Sequence, residues 1–295
     1  MSRSGAGKSL LRLVVVSLLS VLTAACSGQF WANALTPRWG YDRHADIAYG
    51  DLDEQTLDVY LPNDVAAGAP IVVFFYGGSW QHGSKEGYRF VGQALASRGI
   101  IAVLPDYRLY PPTTFPGFIE DGAKATAWAQ RHAADYGANP EHLFVSGHSA
   151  GAHIAALLAT DKHYLADAGI SITALAGFVG MSGPYDFLPI KDPVLQEIFA
   201  PRTSWPESQP INFVDGDEPP MLLMHGEADE TVLPKNSRNL AQKINDSNGS
   251  AILKLYPDVT HIGMIAPLAA PLRLTGSQLD DFADFVKQVS TDRNR

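Results

Sequence analysis

The serine at position 149 lies in a pattern that could supply a catalytic nucleophile. Residues 147–151 read Gly-His-Ser-Ala-Gly, the G-x-S-x-G pattern of a nucleophile elbow. An apolar run of strand type precedes it, and an Ala- and Leu-rich stretch of helical type follows it. A sharp turn from strand to helix crowds the residues two before and two after the serine, so both must be nearly without side chains. The pattern predicts that Ser149 is exposed and that the amide of Ala150 is free to bind an oxyanion.

A serine hydroxyl is a poor nucleophile unless a general base removes its proton. The chain has nine histidines, but only His225 and His261 come later than the helix after Ser149 and the segment that follows it. His225 ends a predicted strand directly, whereas His261 lies in the loop after the last predicted strand. Because a loop at that place can bring an imidazole to the serine, we predict that His261 is the base.

The base in turn needs a carboxylate that fixes its tautomer. Glu227, Asp229 and Glu230 all follow the same buried strand. Asp229 sits a few residues past the strand end and precedes Val232, which can anchor the loop in the core. We therefore favour Asp229, with Asp186 after an earlier strand as the alternative.

A glycine-containing loop follows the strand predicted at 71–76. It reads Gly77-Gly78-Ser79-Trp80, and its two glycines allow the backbone to approach a substrate closely. We predict that the amides of Gly78 and Ser79 join that of Ala150 in an oxyanion hole.

Strand-type and helix-type stretches alternate along the chain, which predicts a mainly parallel sheet with helices on both faces. The predicted strands cover residues 47–49, 56–61, 71–76, 100–104, 143–145, 175–181, 221–224 and 251–256. The predicted helices cover about 86–97, 118–136, 150–159, 233–244 and 277–289.

These features together resemble the α/β-hydrolase superfamily. The chain is most similar to carboxylesterases related to hormone-sensitive lipase, kynurenine formamidase and the feruloyl/acetyl-xylan esterases. The resemblance extends from about Thr56 to the C-terminal helix and rests on residues 105–111, 147–151 and 225–229 in family order. In those relatives the loop after the third strand begins His-Gly-Gly, and here Tyr76 takes the place of the histidine. The charged pair within 105–111, Asp106 and Arg108, is expected to brace the structure.

The resemblance implies an α/β-hydrolase fold, with a mainly parallel twisted sheet and a small lid. It also implies a serine carboxylesterase that hydrolyses small or short-acyl esters through an acyl-enzyme, with no cofactor and no metal. An amide hydrolase of formamidase type and a non-catalytic binding protein on the same fold are the alternatives. Trp80, Phe187 and Trp205 could line a substrate pocket or could be ordinary core residues.

The N-terminus has the pattern of an export signal. A basic, polar stretch is followed by the apolar run 13–25, which is too short to span a bilayer as a stable helix and is typical of a secretory signal peptide. The run ends in small residues before Cys26, the only cysteine, and so resembles the lipobox of bacterial lipoproteins. We expect cleavage after Ala25, lipidation of Cys26 and a location in the bacterial cell envelope. Ordinary cleavage that leaves Cys26 unmodified, or an uncleaved anchor, are the alternatives.

The predicted organisation is a signal peptide at 1–25, a tether at 26–43 and one catalytic domain at 44–295. The Pro-rich stretch of about 184–218 forms the lid of that domain. The net charge of −9 argues against binding to nucleic acid or to an anionic membrane surface. We therefore expect a monomer that acts on a small-molecule ester and attaches to the membrane through Cys26 only.

Overall fold

Eight strands form one sheet in a computed structural model that describes residues 28–295. The predicted signal peptide and Cys26 lie outside the described residues. In space the strands follow the order β1-β2-β4-β3-β5-β6-β7-β8. Their bounds are β1 Tyr41–Ala48, β2 Thr56–Pro62, β3 Ala69–Phe75, β4 Ile101–Pro105, β5 Ala138–His148, β6 Leu175–Met181, β7 Met221–Gly226 and β8 Ala251–Tyr256.

The first two strands run antiparallel to their neighbours, and β3 to β8 are parallel. Parallel neighbours need crossover connections, which place helices over the sheet. The helices are α1 (residues 28–34), α2 Arg89–Ala96, α3 Gly117–His132, α4 Ala150–Thr160, α5 Lys162–Asp167, α6 Pro193–Ile198, α7 Lys235–Asp246, α8 His261–Ile265 and α9 Gln278–Arg293. Within residues 28–295, each of these helices is too short or too polar to cross a membrane.

The side chains of the central strands alternate between two hydrophobic cores. In β3, Ile71 and Val73 belong to the core that α3, α4 and α7 cover, whereas Val72 and Phe74 belong to the core under α2 and α9. Successive residues of a strand point to opposite faces, so an apolar run without alternation is buried on both. The predicted mainly parallel sheet, covered on both faces, is confirmed.

Short helices are the main difference from the sequence prediction. The helix predicted for 86–97 begins as a 3-10 turn at Lys85–Tyr88 and becomes α-helical only in α2. Helices α1, α5, α6 and α8 were not predicted, because one or two turns carry too little periodicity to be recognised. Helix α8 matters most, since it places His261 on the first residue of a helix rather than in an open loop.

The N-terminal segment differs from the predicted tether at 26–43. Strand β1 already begins at Tyr41, and α1 is docked on the connection between β3 and α2. The side-chain amide of Gln29 donates to the Gly87 carbonyl at 3.0 Å, and that of Asn33 donates to the Glu86 and Gly87 carbonyls at 3.0 and 2.8 Å. The segment is therefore attached to the domain well before residue 44.

Asp106 and Arg108, which were expected to brace the structure, each bond to a different part of the domain. The two residues do not pair with each other. The guanidinium of Arg108 donates to both carboxylate oxygens of buried Asp121 on α3, each at 2.8 Å. Asp106 instead accepts from the Lys85 amide at 2.7 Å. The two contacts attach the chain after β4 to α3 and to the turn before α2.

Candidate active site

The turn between β5 and α4 has the strained backbone of the predicted elbow, in which Ser149 is half-buried. Ser149 has φ 55° and ψ −123°, a conformation that residues other than glycine rarely adopt. A Cβ on Gly147 would lie 2.3 Å from the Gly151 carbonyl carbon, and a Cβ on Gly151 would lie 2.0 Å from the Phe75 carbonyl oxygen. Both positions therefore exclude any side chain. Helix α4 can start directly over β3 and β5 only because these two residues are glycine.

The imidazole of His261 is bonded to the carboxylate of Asp229. Nδ1 of His261 lies 2.8 Å from Oδ2 of Asp229, and the Asp229 side chain is fully buried. Because the carboxylate can only accept, Nδ1 carries the proton and Nε2 is left with its lone pair. Thr260 caps α8 by accepting from the Gly263 amide, which fixes the backbone that carries the imidazole.

Several donors hold the Asp229 carboxylate in place. Its Oδ1 accepts from the amides of Thr231 and Val232 at 3.0 and 2.9 Å. Nε2 of His225 donates to the Val232 carbonyl at 2.8 Å and lies 3.4 Å from Oδ2. Burial alone would raise the pKa of Asp229, but hydrogen bonds from His225 and His261 hold that pKa well below its usual range. The group therefore stays ionised beside the imidazole.

The other carboxylates that the sequence offered have different partners. Asp186 accepts from the Asn239 side-chain amide at 2.6 Å. Glu227 pairs with Arg238 at 2.8 Å on the surface, and Glu230 is exposed. Among these four carboxylates, only Asp229 is hydrogen-bonded to His261.

The loop after β3 lies against the elbow and has free donors. A Cβ on Gly77 would come within 3.0 Å of the Ser149 Cβ, which shows how close the two segments are. Gly78 and Ser79 have φ of 138° and 54°. Within residues 28–295, the amides of Gly78, Ser79 and Ala150 donate no hydrogen bond. The three predicted donors are therefore available to a ligand beside Ser149.

Tyrosines brace this loop where the relatives named above have a histidine. The ring of Tyr76 stacks on Tyr107 with centroids 4.4 Å apart, and the Tyr107 hydroxyl donates to the Tyr76 carbonyl at 2.7 Å. The amide of Gly77 donates to the Tyr88 hydroxyl at 3.2 Å. Tyr76, Tyr107 and Tyr88 together brace the loop, which explains why a tyrosine can replace the histidine at position 76.

His148 is a residue of the site that the sequence reasoning missed. Its ring packs against His261 with centroids 4.7 Å apart, and its Nε2 donates to the His261 carbonyl at 3.1 Å. The residue directly before Ser149 is thus bonded to His261, the predicted base. The only sequence signal for His148 was its position directly before the serine.

The Ser149 hydroxyl itself makes no hydrogen bond to any described residue. Hydrogen bonds between a catalytic serine and its base often form only when substrate binds.

A pocket of about 450 Å³ opens at Ser149. Trp80, Phe187 and Leu195 contribute to its apolar wall. Trp205, the third aromatic candidate from the sequence, does not line this pocket, and its indole lies under the Arg202 guanidinium at 5.1 Å. Residues of the predicted lid, 184–218, supply part of the wall, and the role of this segment as a lid stays a prediction.

Behind that wall lies His153, which the sequence reasoning also missed. Its ring makes edge contacts with Trp80, Phe187 and Phe199 at centroid distances of 5.1 to 5.7 Å. Its Nε2 donates to the Ser208 carbonyl at 2.7 Å. His153 therefore joins the helix after the nucleophile to the segment between β6 and β7.

Comparisons with known proteins agree with this geometry. The BD-FAE family model matches residues 57–244, which is more than half of the chain. The chain belongs to the BD-FAE family. Its relatives and structural neighbours place this family member among α/β-hydrolases of the carboxylesterase type.

Two curated relatives of this BD-FAE member are esterases by name. A probable isoprenylcysteine alpha-carbonyl methylesterase of Oryza sativa subsp. japonica is 30% identical over 77% of this chain and 58% of its own length. A probable carboxylic ester hydrolase, LipM of Mycobacterium tuberculosis, is 30% identical over 69% of this chain and 52% of its own. The chain thus spans less than two thirds of the length of these relatives.

Solved structures of esterases share the fold. A truncated carbohydrate esterase from gut microbiota has a TM-score of 0.75 at 22% identity and covers 87% of this chain and 99% of its own. Esterase B from Lactobacillus rhamnosis has a TM-score of 0.77 at 18% identity and covers 96% of this chain and 97% of its own. At this identity the likeness concerns the fold alone.

The two buried histidines of the site predict how stability depends on pH. Burial lowers the pKa of His148 to about 3, with help from neighbouring His261, and burial lowers the pKa of His153 to about 4, against an ordinary value of 6.5. Below pH 6.5 the unfolded chain binds protons that the folded chain excludes. The free energy of unfolding should therefore fall between pH 6.5 and 5, by at most about 1.4 kcal/mol per pH unit for each histidine.

Urea denaturation at several pH values measures this slope. His148→Phe and His153→Phe should each reduce it, whatever their effect on stability at pH 7. The exposed His82 gives a control, since His82→Gln should leave the slope unchanged. Equal slopes in wild type and in both phenylalanine variants would contradict the assignment of these two groups.

Proposed function

We propose that this protein is a serine carboxylesterase that hydrolyses small or short-acyl esters through an acyl-enzyme. The observation that carries the proposal is the strained Ser149 at an apolar pocket, beside three free amides. The residue before it, His148, packs against His261, which is paired with Asp229. Membership of a family whose relatives are esterases supports the same chemistry.

The first half of the reaction forms the acyl-enzyme. The Ser149 oxygen attacks the ester carbonyl carbon while Nε2 of His261 takes its proton. Negative charge moves to the carbonyl oxygen, where the amides of Gly78, Ser79 and Ala150 stabilise it. Collapse of this intermediate expels the alcohol, which receives the proton from His261.

The second half repeats these steps with water. His261 takes a proton from the water, whose oxygen attacks the acyl carbon, and the same three amides hold the oxyanion. Collapse then releases the carboxylic acid and returns the proton to the Ser149 oxygen. Asp229 keeps the proton of the neutral imidazole on Nδ1 in both halves and stabilises the imidazolium between the steps.

Replacement of the acid tests this assignment. Asp229→Asn should lower kcat for p-nitrophenyl acetate by about 10³- to 10⁴-fold, because an amide in that place favours the wrong tautomer of His261. Asp186→Asn is the matched control, since Asp186 bonds only to groups away from the imidazole, and its kcat should stay near that of wild type.

A fluorophosphonate probe tests the nucleophile in parallel. Wild type should be labelled and Ser149→Ala should not. The proposal fails if both proteins remain unlabelled, or if Asp186→Asn loses activity while Asp229→Asn keeps it.

The pocket wall predicts selectivity for short acyl groups. Trp80, Phe187 and Leu195 leave about 450 Å³ for both parts of the ester. Phe187→Ala should raise the ratio of kcat/KM for hexanoate over acetate esters by about tenfold, because added methylene groups gain apolar contact in the enlarged pocket. Val194→Ala, whose half-exposed side chain lies outside the lining, is the control and should not change the ratio. An unchanged ratio in Phe187→Ala would show that the acyl group binds elsewhere.

We also propose that the protein is exported to the bacterial cell envelope and held there by a lipid on Cys26. The apolar run 13–25 and the small residues before Cys26 support this proposal. Protein isolated from its native host should begin at an acylated Cys26 when its N-terminus is analysed by mass spectrometry. A mature chain that still begins at Met1, or at an unmodified Cys26, would contradict the lipid anchor.

A further inference from the structure

Helix α1 has its polar face toward the protein. The side chains of Gln29 and Asn33 point inward and donate to the Gly87 carbonyl, and Asn33 also accepts from the Phe90 amide at 3.2 Å. A surface helix of a soluble domain normally buries its apolar stripe and exposes its polar side. In α1 this arrangement is reversed.

The outward face is apolar and aromatic. We call it the aromatic face and define it as Phe30, Trp31 and Leu35 of the helical segment with nearby Trp39, which are exposed by 64, 59, 56 and 76%. Large apolar side chains that are exposed together, rather than singly, mark a contact surface. Since hydrogen bonds of Gln29 and Asn33 fix the inner side, α1 cannot turn these side chains inward without breaking those bonds.

A second exposed apolar segment is bonded to α2, the helix to which α1 is also bonded. The turn Ala270–Thr275 is bonded to α2 through Arg273, which donates to the Gln93 side chain. It exposes Leu272 partly and Leu274 fully. Helix α1 is bonded to α2 at Phe90, one turn before Gln93. The two apolar segments are therefore anchored next to each other.

The local charge differs from that of the whole chain. The protein carries a net charge of −9, yet its first 41 residues contain no Asp or Glu. Arg38, directly before Trp39 of the aromatic face, is exposed. Described residues 28–41 thus bring no carboxylate to anionic lipid headgroups and bring the exposed cation of Arg38, while the nearby carboxylate of Glu86 is paired with Lys85 at 2.7 Å.

We propose that the aromatic face inserts into the lipid–water interface of a membrane. Trp and Phe are the residues that favour this interface, and an amphipathic segment binds it through buried apolar area together with attraction of cations to anionic lipid. The apolar run 13–25 ends three residues before α1, which places the face beside the expected membrane anchor. The proposal does not require Cys26 to be acylated. It replaces the expectation that the chain meets the membrane through Cys26 only.

Tryptophan fluorescence of the full chain, reconstituted in phosphatidylcholine–phosphatidylglycerol vesicles, tests this contact. Trp31 and Trp39 are exposed, whereas Trp80, Trp128 and Trp205 are buried. Lipids brominated on their acyl chains should quench roughly two fifths of the emission, because two of the five tryptophans reach the interface. Trp31→Phe/Trp39→Phe should abolish this quenching.

A variant of the outward face separates insertion from simple tethering. In Trp31→Ser/Leu35→Ser, Trp39 remains as the reporter, and its quenching by brominated lipid should be lost in favour of quenching by aqueous iodide. Leu52→Ser changes an exposed leucine between β1 and β2 and should leave the quenching unchanged. Hydrolysis of a soluble ester should be the same in all of these variants.

Two results would overturn the proposal. If Trp39 of Trp31→Ser/Leu35→Ser is still quenched by brominated lipid, the N-terminal run alone brings it to the bilayer. If brominated lipid and iodide both fail to quench Trp31 and Trp39 in wild type, protein covers the aromatic face, either a second copy of the chain or its own first residues.

Discussion

The close approach of α4 to the ends of β3 and β5 is the constraint on which the site depends. Gly147 faces the backbone of Gly151, and Gly151 faces that of Phe75, at distances that leave no room for a Cβ. This contact accompanies the strained conformation of Ser149, and Ala150, as the first residue of α4, has no intrahelical acceptor for its amide. Since β3 runs into the loop that contains Gly78 and Ser79, one packing contact positions the proposed nucleophile and all three proposed donors.

His261, the proposed base, is held in place by a chain of hydrogen bonds that begins in the core. The amides after β7 hold Asp229, Asp229 holds Nδ1 of His261, and His148 holds the carbonyl of the same residue. His148 belongs to β5 and precedes Ser149, so the imidazole is fixed relative to the strand that carries the nucleophile. Loss of one of these contacts would free the ring to rotate, which explains why a buried and uncharged histidine occupies position 148.

The sequence predicted the structure correctly where a pattern of residue types is compatible with only one local structure. Two glycines around a serine, between a strand-type and a helix-type stretch, define the turn, and long apolar runs define strands buried on both faces. The carboxylate was harder, because Asp229, Glu227 and Glu230 share one short segment and only the fold decides which of them faces the imidazole. The contacts of His148 and His153 could not be predicted, since their partners are more than 50 residues away in the chain.

The N-terminal segment shows why the net charge of the whole chain does not predict what one part of its surface binds. An acidic chain should avoid anionic lipid, but the charge that matters is that of the segment within reach of the headgroups. Helix α1 is bonded to Glu86 and Gly87, and the neighbouring Tyr88 accepts from the Gly77 amide at the start of the oxyanion loop. One connection, from β3 to α2, therefore holds both the proposed membrane face and the proposed donors to the substrate. A membrane at the aromatic face would therefore lie next to the connection that also carries the proposed donors, so that docking and catalysis would share one structural support.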